Sequence, residues 1–196
     1  MEASKSQIAA LIVASAAFAG YLLLRKKPRS RITSTSMIIN PNTNNMITNP
    51  NLPRGYRNNN PCNIRIGSSP WLGKVLPNTD GIFEQFESLE YGYRAALALL
   101  RGKGYIGQGL NTIRKIITKF APDNENDTQG YIAFVSRNTG INPDQPISKY
   151  DKDKLIKIVY AMSLVENNTN KAAWIAEVRK AGLPNIELVK AGWNLL

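Results

Sequence analysis

The sequence predicts a mainly α-helical domain with a small β element near its start. Three observations predict it. From Leu89 onward apolar residues recur at helical spacing, in successive stretches bounded by Ser, Asn, Asp, Gly and Pro. Just before that point the pattern is different: Ile64–Ile66 and Ile82–Phe86 have strand character, and Asn78-Thr79-Asp80-Gly81 between them is a turn signal. Ahead of Arg54 there is too little apolar side chain, outside one continuous run, to build a core.

That run is Ser6–Leu24, nineteen residues without a charge. Its apolar part, Ile8–Leu24, spans about 26 Å as a helix, the short end of a bilayer crossing. Five basic residues follow between Arg25 and Arg31, against Lys5 and Glu2 in front. That asymmetry predicts an uncleaved single-pass anchor over residues 1–24 with its C-terminal side cytoplasmic. A signal peptide is the rival, with Ala17-Phe18-Ala19 as an acceptable cleavage site. Residues 25–53, basic and then rich in Asn and Pro, read as a linker without regular structure.

The domain is assigned to residues 54–196. Ser88 is placed to cap a helix from Leu89 to about Lys103, with Glu90 in its first turn. Asn111 is placed to cap a second, carrying Ile113, Ile116, Ile117 and Phe120, which Pro122 stops. Asp127 caps a third, ending at Gly140. Ser148–Glu166 holds a fourth, with Leu155, Ile158, Val159, Met162 and Val165 on one stripe. Lys171–Ala181 is a fifth, and Leu188–Trp193 a last short turn.

The formal charge is +11, from 25 Lys and Arg against 14 Asp and Glu, which favours a polyanionic partner: nucleic acid, anionic lipid or an acidic wall polymer. The helices carry no basic stripe with regular aromatics, so specific nucleic-acid readout is not expected. There is no histidine. Its absence removes Ser-His-Asp and Cys-His catalysis and imidazole-dependent zinc hydrolysis. Cys62, the single cysteine, has no partner for a disulfide and no His to activate it. No metal or cofactor is called for. Hydrolytic chemistry would have to rest on carboxylates, and glycosidic cleavage is the leading reaction of that kind.

The stretch richest in chemistry is Arg54–Ile66. Asn58, Asn59, Asn60 and Asn63 bring four carboxamides into six residues, and each both donates and accepts. With Trp71 and Tyr91 downstream, these amides suit a sugar-binding groove. An Asn-rich turn bonding its own backbone explains the same residues.

As an ordered set, Arg-Gly-Tyr-Arg-Asn-Asn-Asn-Pro-x-Asn-Ile-Arg, Trp71-x-Gly73, Phe83-x-x-Phe86-x-Ser88-x-Glu90-x-Gly92-x-Arg94-Ala95, Asn111-Thr-Ile-x-x-Ile116-Ile117, Ala121-Pro122, Glu125-Asn126-x-Thr128 and Tyr131 resembles a family of phage virion and endolysin-like proteins regarded as peptidoglycan-degrading. The resemblance covers about Arg54–Glu166. Cys62 departs from it, standing where Gly is usual. The N-terminal run resembles the anchors of tailless, membrane-containing phages. A weaker resemblance reaches lysozyme-like glucosaminidases and lytic transglycosylases, in which a catalytic Glu ends a helix and an Asn-rich loop and small β element follow. The resemblance implies a lysozyme-like α+β fold and a membrane-anchored enzyme of a virion or host inner membrane. Its substrate would be peptidoglycan, with other virion proteins as possible neighbours.

The candidate acids are Glu166, Glu87, Glu90 and Glu125. Glu90 and Glu125 stand at helix starts, where a carboxylate is expected for dipole reasons alone. Glu87 follows a strand-like segment and would be a second, assisting carboxylate. Glu166 ends a long apolar helix, where the dipole disfavours negative charge and helps keep an acid protonated. Asn167-Asn168 then follow, matching a Glu at a helix end before a polar loop. The helix usual ahead of the Asn loop would then be supplied from the C-terminal side, as in a circular permutation. The alternative function is a non-enzymatic virion protein linking membrane to capsid or DNA.

Overall fold

The computed structural model describes residues 50–124, 126–167 and 178–196 of the 196-residue chain. The apolar run at 8–24, the linker through residue 49, Glu125 and most of the helix read at Lys171–Ala181 lie outside the described residues. Among the described residues no helix is long and apolar enough to cross a membrane.

The described chain is mainly helical. A single turn, α1 (Arg54–Arg57), opens the domain, and Leu52 and Pro53 just ahead of it are already buried. The core therefore starts two residues before the expected domain start at Arg54. The helix α2 (Leu89–Arg101) stops at Gly102, close to the expected boundary. A 3₁₀ turn follows at Ile106–Gln108.

Helix α3 (Ile113–Phe120) is capped by Thr112, whose hydroxyl accepts from the Lys115 amide, and not by Asn111. The Asn111 carbonyl instead takes the Ile147 amide at 2.7 Å. Helix α4 (Thr128–Thr139) has the expected Asp127 cap, and Gly140 closes it at φ 70°. Helix α5 (Lys152–Glu166) begins after Asp151, four residues later than Ser148. Asp151 wins because its carboxylate accepts from the Lys154 amide and pairs with the Lys154 ammonium. Residues 178–180 are helical, and α6 (Ile186–Asn194), capped by Asn185, ends the fold.

Helix α2 packs along α6 and against α5, and α4 lies between α3 and α5. Ile116, Leu155, Ile158, Tyr56, Phe86 and Leu97 are fully buried where these faces meet. Each such side chain contributes about 2 kcal/mol by leaving water.

The expected β-hairpin does not form as a pair of strands. Two isolated antiparallel bridges stand in its place, Arg65 with Phe83 and Lys74 with Phe86. The middle segment thus touches two neighbours, residues 64–66 on one side and 73–75 on the other. Regular strands are prevented because side chains take the backbone groups. Asn60 binds the Ile64 amide and the Ile64 and Glu84 carbonyls, and Asp80 takes the Ile82 and Phe83 amides. The Asn78 turn is present as read: its side-chain oxygen accepts from the Asp80 and Gly81 amides.

Candidate functional site

The amide loop follows α1 directly. Asn59 and Asn63 hold φ of 50° and 47°, the left-handed region that Asn tolerates better than other non-glycine residues. Cys62 is not among the positive-φ residues, so its place in the loop does not need glycine.

Burial divides the four asparagines. Asn58, Asn59 and Asn60 are at most 5% exposed, which decides between the two sequence readings for them. Asn58 donates to Asp80 and accepts from Gln85, Asn59 donates to the Phe86 carbonyl, and Asn60 makes the three bonds described above. These three are corrected: their amides brace the loop against the segment 80–86 and do not line a groove.

Asp80 anchors that brace. Burial opposes its charge, but hydrogen bonds from Arg54, Asn58 and the Phe83 and Ile82 amides outweigh burial and hold the carboxyl well below the usual carboxylate range. Arg54 approaches it bidentately at 2.8 and 2.7 Å and lies over the Phe83 ring at 4.7 Å.

Asn63 is different. It is half-buried, and its amide nitrogen reaches the last residue of α5, donating to both the Glu166 carbonyl and Glu166 Oε2 at 3.1 Å. On the other carboxylate oxygen, Oε1, the Tyr131 hydroxyl donates at 3.0 Å. Burial pushes the Glu166 carboxyl up, and the bonds from Asn63 and Tyr131 oppose that shift without cancelling it. The C-terminal end of α5 works in the same direction as burial.

The neighbouring Asn167 fixes this end of α5 to the loop, donating to the Pro61 carbonyl at 2.7 Å and the Ser163 carbonyl at 2.8 Å. Gly55 makes room for both amides. A side chain there would run into the Asn167 and Asn63 side-chain oxygens. Cys62 lies beside them, buried, with its sulfur 3.8 Å from the Val159 carbonyl. Burial and the Glu166 charge push its thiol well up, so it is a poor nucleophile.

The other predicted residues gather elsewhere. Tyr91 is half-buried with its ring against Gly73, and Trp71 is half-buried three residues before Lys74, whose amide its carbonyl accepts. Glu87 is exposed, its amide bonded to the Gly73 carbonyl, and Glu90 is half-buried in the first turn of α2. Of the candidate acids within the described residues, Glu166 alone meets the amide loop. Glu125 lies outside them.

Sequence reasoning passed over two residues. Tyr131 enters the sequence reading only as the end of the resemblance motif, with no role at the site, although it stands within reach of an acid 35 positions away. Glu84 is fully buried, held by Lys74 at 2.9 Å and by the Gly67 amide at 3.1 Å. No alternation marks it, since Ile82 is exposed while Glu84, Gln85 and Phe86 are all buried. Among the described residues no three of Cys, Asp and Glu converge as a metal site.

No protein-family model matches the chain. It is similar to Protein P5 of Pseudoalteromonas phage PM2, being 39% identical over 120 residues that span 60% of this chain and 72% of that protein.

Proposed function

The chain belongs to the family of Protein P5 of Pseudoalteromonas phage PM2, and from its own residues we propose that it is a membrane-anchored phage protein that cleaves the glycan strands of peptidoglycan, with Glu166 as general acid. One observation carries the reading. A carboxyl that burial pushes above its ordinary value closes a helix beside a half-buried amide, the placement that suits a proton donor. In this reading the residues ahead of Arg54 hold the domain at a bilayer, and Trp71 and Tyr91 supply faces for sugar rings. A protonated Glu166 delivers its proton to the glycosidic oxygen. A single such acid is enough where the departing sugar closes on itself to an anhydro product, whereas simple hydrolysis ordinarily uses two carboxyls. The lysozyme-like architecture belongs to the same proposal. The test is the full chain in detergent on purified sacculi, with mass spectrometry of the soluble products. Release of muropeptides by the native protein, lost in Glu166→Gln, supports it, and their masses separate an anhydro from a hydrolysed end. No release between pH 4 and pH 8 refutes it.

One observation favours a second reading. Three of the four loop amides are committed inside the chain, which leaves fewer groups for a glycan. A basic, non-enzymatic protein joining a viral membrane to capsid or DNA would fit that and the charge of +11. DNA binding that falls steeply with salt, without cleavage of sacculi, would favour it.

A further inference from the structure

The surroundings of Glu166 are asymmetric in a way that bears on where its proton sits. Oε2 faces the Asn63 amide nitrogen, a group that only donates. Oε1 faces the Tyr131 hydroxyl, which donates or accepts as its proton turns. That hydroxyl has a second acceptor in reach, the Met162 carbonyl at 3.4 Å. Among the described residues, the titratable groups facing Glu166 are Tyr131 from α4 and Cys62 from the loop. Burial holds both of them neutral.

We propose that the dissociable proton of Glu166 resides on Oε1, and that Tyr131 is the positioning residue that accommodates it by reversing its hydroxyl. With Glu166 ionised, Tyr131 donates to Oε1. When Oε1 takes up a proton, that O–H donates to the Tyr131 oxygen, and the phenol proton turns to the Met162 carbonyl. No heavy atom has to move, and Asn63 keeps both of its bonds to Glu166 throughout. A proton on Oε2 would instead point at an N–H. Accommodating it would require the Asn63 amide to turn over, giving up its bond to the Glu166 carbonyl.

This concerns the same carboxyl as the general-acid reading, describes the protein with no substrate on it, and is testable apart from that reading. The full chain, labelled with carbon-13 at the tyrosine Cζ and the glutamate Cδ and with nitrogen-15 at the asparagine amide, is titrated by NMR. The Tyr131 Cζ resonance is expected to move with the midpoint of Glu166 Cδ, while the Asn63 side-chain amide keeps its two bonded proton signals. Tyr131→Phe removes a donor from the ionised form, so the Glu166 midpoint shifts upward. Overturning results are a Tyr131 signal that ignores the Glu166 midpoint, an Asn63 amide that changes partners there, or an unmoved midpoint in Tyr131→Phe. If this titration behaves as expected and sacculi remain intact, the enzymatic reading fails and the proton assignment stands. If sacculi are cut and Tyr131 is silent, the assignment fails alone.

Discussion

Asn63 and Glu166 stand 103 positions apart and meet twice, the amide nitrogen of one donating to both the carbonyl and the carboxylate of the other at 3.1 Å. A single side chain thus ties the amide loop to the end of α5 and opposes the upward shift that burial imposes on that acid. Removing it alters both properties. Asn63→Ala is expected to shift the Glu166 carboxyl further upward and to lower the melting temperature, measured by carbon-13 NMR and calorimetry.

Asn60→Ala separates bracing from binding. The residue is fully buried, and its loss strands the Ile64 amide and the Glu84 carbonyl. The expected cost is about 3 kcal/mol in chemical denaturation. At temperatures where the variant is folded, its affinity for sacculi should equal that of the native protein. Trp71→Ala should do the reverse, weakening sacculus binding with a smaller loss of stability.

Glu166→Gln should fold, because an amide with its nitrogen towards Tyr131 and its oxygen towards Asn63 copies the protonated acid. The sign of its stability effect follows from linkage. A folded-state carboxyl raised above its unfolded value of about 4.3 contributes most below that value and progressively less as pH rises through the folded one. The neutral amide lacks this loss. The melting temperature of the variant, relative to native, is therefore expected to rise between pH 4 and pH 7, and a falling difference would contradict the burial of Glu166.

Asp80→Asn has the opposite pH signature. The folded carboxyl is depressed, so its contribution is present above the unfolded value of about 3.9 and is lost as pH falls further. Because Arg54 is 40% exposed, the ion pair itself is discounted for screening, and the hydrogen bonds to the 9%-exposed Asp80 side chain dominate. The variant should lose about 2 kcal/mol at pH 7 and much less near pH 2, as read by urea unfolding at the two values.

Lys74→Met leaves the Glu84 carboxyl buried with only the Gly67 amide on one oxygen. A stability loss of about 3 kcal/mol is expected at neutral pH, and the double variant with Glu84→Gln should recover part of it.

Helix positions were legible from residue spacing, because each stripe, such as Leu155, Ile158, Val159 and Met162, has only one period that buries it. Caps were legible to within a few residues. Thr112 displaced Asn111, and the helix read from Ser148 starts only after Asp151, because several polar residues compete at a helix start and only the folded chain selects one. The β element was over-read. Apolar residues at 82–86 suggest a strand, but they do not show the side chains that take the backbone bonds a strand requires.

The site shows the same division. By itself the sequence determined which groups are present: there is no histidine and one cysteine, so imidazole chemistry is excluded, and the amides of residues 58–63 concentrate donors at the start of the domain. It also put Glu166 at a helix end. Only the tertiary structure decided that Asn58, Asn59 and Asn60 face inward while Asn63 turns to Glu166. It also brought Tyr131 to the other carboxylate oxygen. These contacts join residues 35 and 103 positions apart, and no local pattern encodes such a meeting. It arises because α4, α5 and the loop must pack their apolar faces together, and that packing sets which polar groups come within reach.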